Sequence, residues 1–274
     1  MRVCKGQSRM ALSFARLILV LLLVLAVAPV QAQDDGIRLP DIGASAGAVI
    51  SERDENAYGE ALKREFTRLA KIVDDPLIAG YFRLMGYSLV AHSDRPDGNF
   101  TFVVVDDDSI NAFAAPGGFI ALHSQLILTA ENESEVAAVV AHEIAHVTQR
   151  HIARRIESAQ KMSLPMTLLM LGAVLAGSGN GDAAQAAVVG TQALMQQMQI
   201  NFTRANEYEA DWVGIRKLAA AGYDPDAMAS FFAKMARENR GYGARIPEFL
   251  RTHPVESTRI AESKNRARQV TVEN

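Results

Sequence analysis

The stretch "VVAHEIAHVTQRH", Val139 to His151, carries three of the six histidines of this 274-residue chain and sets one acid between two of them. On an α-helix His142 and His146 lie four residues apart and project from one face, so both imidazoles reach a single ion. Glu143, one residue after the first histidine, then lies beside that ion without binding it and can take a proton from a metal-bound water. The plainer reading is two core histidines hydrogen-bonded to backbone. The helix that carries them weighs against it. "ENESEVAAVVAHEIAHVTQRHIARRIESAQ" offers Asn132 as N-cap with Glu135 three residues on, and has no Gly or Pro from Glu133 to Met162. Val136, Val139, Val140, Ala141, Ile144, Ala145 and Val147 wrap apolar surface nearly all the way round it. Such a helix is buried, and two imidazoles inside it are costly without a partner. His151, nine residues after His142, falls about half a turn away. It is expected to point away from the metal, as a surface or second-interface residue.

A catalytic zinc needs a third protein ligand and an open position for water. The one cysteine, Cys4, precedes an apolar leader, so the third ligand is sought among His, Asp and Glu. "NEYEAD" offers Glu207, Glu209 and Asp211 on a helix. Glu207 and Asp211 share a face, whereas Glu209 points nearly opposite, so Glu207 and Glu209 cannot both reach one ion. The economical assignment makes Glu207 the ligand and Asp211 the carboxylate that holds the outer N–H of a ligand histidine. Glu209 reads as part of a solvated acidic helix face.

The leader itself has Arg2, Lys5, Arg9 and Arg16, then the apolar run "LILVLLLVLAVA" (Leu17 to Ala28) and small or apolar residues at Val30 and Ala32. This pattern predicts a cleavable secretory signal over residues 1–32. Twelve strongly apolar residues fall short of the roughly 20 that a spanning helix needs. Cleavage after Ala32 would make the net charge four units more negative than the −3 of the full chain and leave no thiol. Export without disulfides suits a bacterial periplasm. An acidic chain without a basic block gives no reason to expect nucleic-acid binding.

Residues 33–50 read as a small, polar lead-in and 51–274 as one well-cored domain. Helices are expected from about Glu55 to Ala70 and Asp75 to Ala91. "NFTFVVVDDD" is a strand signal, and "INAFAAPGGFIALHSQLI" continues it as two short extended pieces around "PGG", with Pro116 marking a sheet edge. Residues 164–200 are rich in Ala, Leu, Gly and Met, and "GSGNGD" splits them into two apolar segments. They read either as a mobile hairpin meeting apolar substrate or a membrane surface, or as core helices with Met as filler. A further helix through "NEYEADWVGIRKLAAAG" stops at Gly222. The next starts near Asp224 and Pro225, and the last follows "THP" after the Gly-rich loop "GYGARIP".

H-E-x-x-H followed by "RANEYEAD" (Arg204 to Asp211) resembles the gluzincin metallopeptidases that include HtpX and the CAAX prenyl proteases. "LPDIGASAG", "INAFAAPGGFIALHSQLI", "NESEVAAVVAHEIAHVTQRHIARR", "GYDPDAM" and "THPVESTRIAESKNRA" are most similar to the protease domain of their periplasmic BepA-like branch, across about residues 39 to 268. The likeness does not extend to that branch's C-terminal helical-repeat domain, which contacts outer-membrane assembly machinery. The resemblance implies an α+β, zincin-like fold and Glu207 as third ligand, in agreement with the helix-face argument. It implies that His253 of "THP" sits on a plug loop and takes the open metal position in a latent state. It further implies that Arg259 stands near the site as a transition-state donor, and that "NAFAAPGG" is the edge strand against which an extended substrate lies.

Together these readings predict a periplasmic zinc-dependent endopeptidase with one Zn²⁺ per chain, acting on misfolded or stalled envelope proteins. His142, His146 and Glu207 hold the ion and Glu143 is the base. Two rivals remain: a holdase using the same cleft without cutting, and a deformylase-type hydrolase, which typically needs a Cys ligand.

Overall fold

A computed structural model describes residues 50–176, 181–241 and 247–270. The expected signal (1–32), nearly all of the lead-in (33–50), the first four residues of "GSGNGD" and most of the Gly-rich loop lie outside the described residues. In chain order, the described elements begin with α1 (Glu52–Leu69), α2 (Pro76–Ala91), β1 (Thr101–Val105) and β2 (Ala112–Ala115). A short 3-10 turn (Pro116–Gly118) leads into β3 (Phe119–His123) and α3 (Ser124–Thr129). Then come α4 (Glu133–Thr148), α5 (His151–Ala176), α6 (Gly181–Ala220), α7 (Ala227–Gly241), α8 (Glu248–Thr252) and α9 (Ser257–Ala267). The α+β class and the two early helices match expectation. Ser51 caps α1 by accepting from the Asp54 N–H, and Asp75 caps α2 ahead of Pro76.

The sheet has the order β1-β3-β2, with β3 parallel to β1 (Thr101 opposite Phe119) and antiparallel to β2 (Ala112 opposite Leu122). Strand β3 is buried on both faces, which is why "FIAL" has no polar alternation. Ile120 and Leu122 join the main core with α2, α4 and α6, while Phe119 and Ala121 pack with Leu62 and Phe66 of α1. Phe66 meets Phe113 and Phe119 edge-on, with ring centroids 5.1 and 5.6 Å away. Strand β2 lies at the sheet edge and runs into Pro116, as the missing N–H of that proline requires.

Helix α4 runs through the centre. Asn132 Oδ1 accepts from the Glu135 N–H at 3.0 Å, and the buried Glu135 carboxylate is paired with Lys234 of α7 at 2.7 Å. Val136, Val139, Val140 and Ile144 are all buried, each contributing about 1.5–3 kcal/mol. The apolar circumference read from the sequence is what the main core closes on.

Two elements differ from expectation. The helix does not continue to Met162: the chain leaves α4 after Thr148, turns at Arg150 with φ 54°, and restarts as α5 at His151. A left-handed conformation costs a residue with a Cβ, such as arginine, about 1–2 kcal/mol, and no Gly or Pro marks the place. Tertiary contacts hold it. Arg150 donates from Nε to Glu55 and from Nη2 to the Ile50 carbonyl, both at 2.9 Å, and Lys217 Nζ donates to Thr148 Oγ1 at 2.8 Å. The second difference is α6. The apolar segment after "GSGNGD" and the "NEYEAD" helix are one helix of 40 residues, ending just before Gly222 at φ 83°. Leu164, Leu168 and Leu169 on α5 and Val189, Leu194 and Met198 on α6 are exposed, so these residues are not core filler. Among the described residues no helix is long and apolar enough to cross a membrane.

Helix α1 is seated on the turn after β2 by Gly59, where an added Cβ would stand 1.9 Å from the Pro116 carbonyl oxygen. Backbone cannot yield as a flexible side chain would. Gly59→Ala is therefore expected to lower unfolding stability by about 1–3 kcal/mol in chemical denaturation. A variant as stable as the parent would mean that α1 does not dock there.

Candidate metal centre

Three separate parts of the chain supply the centre. Helix α4 contributes His142, Glu143 and His146, and α6 contributes Glu207 and Asp211, one turn apart. The end of α8 contributes His253, whose N–H donates to the Phe249 carbonyl at 2.8 Å. The two long helices meet closely because position 214 is glycine, where a Cβ would come 3.2 Å from the His142 nitrogen.

The ligand-type atoms converge. His142 Nε2 lies 2.9 Å from His146 Nε2 and 3.5 Å from Glu207 Oε2, and His146 Nε2 lies 3.5 Å from Glu207 Oε1. His253 Nδ1 is 3.3 Å from His142 Nε2 and 3.1 Å from Glu207 Oε2. One atom from each of these four residues fits within 4.8 Å of all the others. Tetrahedral zinc with bonds of about 2.0–2.1 Å holds its ligand atoms about 3.3 Å apart. These spacings suit such an ion, and three nitrogens with a carboxylate are a donor set it favours. Glu143 is 1% exposed, and its Oε1 is buried without a hydrogen bond, 3.4 Å from His253 Nε2. His253 thus faces the ligand cluster with one ring nitrogen and Glu143 with the other.

Behind the cluster, Asp211 Oδ1 lies 2.9 Å from His142 Nδ1, the place the helix-face argument gave it. Arg259, 2% exposed, grips Asp211 with Nε at 2.8 Å and Nη2 at 2.7 Å. Its Nη1 donates to the Pro254 carbonyl at 2.8 Å and lies 3.0 Å from Glu207 Oε2. The guanidinium expected near the site is there, with these donors turned to the residues that hold the cluster. Losing it would leave buried carboxylates unpaired, at about 3–5 kcal/mol.

Two expectations are corrected. His151 is not a surface residue pointing away: it is 3% exposed, with Nδ1 2.8 Å from His146 Nδ1. The turn at Arg150 removes the half-turn offset that an unbroken helix would impose. Glu209 is not on a solvated face, because it accepts from Arg154 Nη1 at 2.8 Å and lies 3.2 Å from His151 Nε2. It does point away from Glu207, but toward α5 rather than water. Arg154, 6% exposed, was not singled out from the sequence. An i, i+3 pair of His151 and Arg154 opposite an acid was the signal available, and it has meaning once α5 begins at His151.

The protons among these groups follow their surroundings. Burial alone drives the His142 imidazole down, but Asp211 and Glu207 outweigh it and raise it to about 9. Burial takes His146 well below its usual range against the pull of Glu207, with His142 adding to the shift. Burial would raise Glu207, yet the imidazoles of His253, His142 and His146 hold it well below the usual carboxylate range.

A family model described as peptidase family M48 matches residues 77–267, a span that includes every residue of the centre. The beta-barrel assembly-enhancing protease of Escherichia coli (strain K12) is 42% identical over 245 residues, 89% of this chain and 50% of that protein. The protein of the same description from Yersinia pestis is 44% identical over 233 residues, 85% of this chain and 48% of its own. The mitochondrial metalloendopeptidase OMA1 of Arabidopsis thaliana is 29% identical over 184 residues, 67% of this chain and 35% of that protein. The chain thus spans about half the length of the two bacterial relatives.

An ion entering this cluster has to displace the His142 proton, which Asp211 and Glu207 retain up to about 9. Because the proton competes with the metal below that value, affinity for zinc should fall as pH falls. The expected slope is about tenfold per unit between pH 9 and 7, with about one proton released. Competition titrations across that range measure the slope, and a flat profile would rule the displacement out.

Proposed function

This chain belongs to peptidase family M48, and from that premise we propose that it is a zinc-dependent endopeptidase of the bacterial cell envelope. The observation that carries the reading is the convergence of His142, His146 and Glu207 at the spacing of a tetrahedral ion, with Glu143 buried beside them. The bound ion would supply Lewis acidity, polarising the scissile carbonyl and making a water nucleophilic near neutral pH. The protein's own groups do the rest. His142, His146 and Glu207 hold the ion, Asp211 orients His142, and Arg259 fixes Asp211 and Glu207. Glu143 Oε1, free of other hydrogen bonds, accepts a proton from the attacking water and passes it to the leaving amine nitrogen.

The open side of the cluster supports an extended substrate. A cleft of about 280 Å³ runs past His146, between Arg150 and the end of β2 with its following turn, Ala114 to Gly118. A peptide laid along the free edge of β2 would extend the sheet, gaining main-chain hydrogen bonds that do not depend on sequence. Misfolded or stalled envelope proteins fit that requirement. The printed description of the bacterial relatives, beta-barrel assembly-enhancing protease, supports a link to outer-membrane protein assembly, and the leader pattern supports a periplasmic location.

His253 is read as a latch. Its ring stands against both the ligand cluster and Glu143, the space a reacting water has to use. A second reading, holding unfolded chains without cutting them, draws on the exposed apolar residues of α5 and α6. From residue 162 to 203 the sequence has no Lys or Arg, so this surface suits apolar protein segments better than an anionic membrane surface.

Glu143→Gln is expected to keep the metal and the fold while losing about 10²- to 10⁴-fold in cleavage of an unfolded substrate such as casein. Cleavage at the parental rate would remove Glu143 as the base. An inactive parent chain that still suppresses aggregation would favour the holding reading.

The latch is tested by His253→Ala. Proteolysis, self-cleavage included, should rise while zinc content stays high. A fall in activity with zinc retained would make His253 a donor to the reaction and not a latch.

A further inference from the structure

The two α4 histidines of the centre are anchored differently. His142 meets a carboxylate directly, Asp211 Oδ1 at 2.9 Å from Nδ1, and that carboxylate is gripped by Arg259. Among the described residues no carboxylate meets the outer nitrogen of His146. Its Nδ1 faces His151 Nδ1 at 2.8 Å, His151 Nε2 faces Glu209 Oε2 at 3.2 Å, and Glu209 Oε2 accepts from Arg154 Nη1 at 2.8 Å. Both ligands therefore lead to a carboxylate held by an arginine, one directly and one through an intervening imidazole. His151 is 3% exposed and Arg154 6% exposed, so water does not substitute for this chain of contacts.

Donor and acceptor roles along it have one consistent direction. A carboxylate is acceptor-only, so Glu209 requires the His151 proton to sit on Nε2. That leaves His151 Nδ1 with a lone pair, which must accept from His146 Nδ1–H. The proton of neutral His146 is thereby kept on Nδ1, and the lone pair of Nε2 is directed at the cluster, where it lies 2.9 Å from His142 Nε2. The opposite arrangement, with His151 donating from Nδ1, would put the His146 proton on Nε2 and aim it at the ion.

We propose that His151, backed by Glu209 and Arg154, is a positioning residue that sets the tautomer and orientation of His146 as a metal ligand. The inference rests on the metallopeptidase reading above. It explains the left-handed turn at Arg150, which spends backbone strain to bring the first residue of α5 back over the end of α4. Outer partners of ligand histidines typically govern 10- to 100-fold in metal affinity.

The test uses the full chain, stripped of metal and titrated with zinc against a chelator, and separately loaded with Co²⁺ for its ligand-field absorption spectrum. His151→Phe keeps the ring volume without an acceptor, and His151→Gln restores a side-chain acceptor. Zinc affinity should drop about 10- to 100-fold in His151→Phe with an altered cobalt spectrum, and recover in part in His151→Gln. Glu209→Met, which removes the acceptor without touching His146, should weaken zinc in the same direction in the folded chain. Should His151→Phe fail to fold, Glu209→Met decides alone, and parental zinc affinity there overturns the proposal. Parental affinity and spectrum in a folded His151→Phe also overturn it, leaving the metallopeptidase reading intact. A parent chain that takes up no zinc at all would instead sink that reading, and this one with it.

Discussion

Arg259 and Asp211 form a buried pair, fork to fork, on which four elements of the site converge. The pair joins α9 to α6 and faces His142 of α4. Through the Pro254 carbonyl it also fixes the loop that presents His253. Partners of this quality offset the burial of the Asp211 carboxylate, because desolvating each charge costs several kcal/mol. The same guanidinium lies against Glu207 and over the Phe232 ring, 4.7 Å from its centroid. Polar contact with the cluster and packing against the apolar core thus meet on one side chain. The centre is accordingly part of the core, not an attachment to it.

The sheet and the centre are tied together at the end of α4. The Arg150 side chain at the turn donates to Glu55 and to the Ile50 carbonyl, at the start of the described chain, and α1 in turn sits on the Pro116 turn of the edge strand. One left-handed residue therefore sets three things. It ends the helix of His142 and His146, shapes one wall of the cleft beside His146, and delivers His151 to Nδ1 of His146. A straight helix of the same sequence would satisfy local propensity and lose all three.

Much of this was legible in the residues themselves. H-E-x-x-H at helical spacing places two imidazoles and one carboxylate on a buried face whatever the rest of the fold does. Residues 207 and 211 share a face by the same 3.6-residue period, and Glu209 has to leave it. The strands around "PGG", the edge position before Pro116 and the cap at Asn132 follow from local chemistry and are found. What period and propensity describe is the direction a side chain leaves its own element.

The remainder depended on what lies opposite, and that is a tertiary matter. Arg150 carries no mark of a helix break, since the strain is offset by partners about a hundred residues away in sequence. His151 and Glu209 were misplaced for that reason: with an unbroken helix they face water, and with the break they face each other. The join of the apolar segment to the "NEYEAD" helix was hidden likewise, because no local signal distinguishes a continued helix from two abutting ones. The sequence by itself determined which side chains of α4 and α6 share a face, as a helix period is a local property. The tertiary structure alone decided their outer partners, because burial and pairing of charge are properties of the whole packed chain.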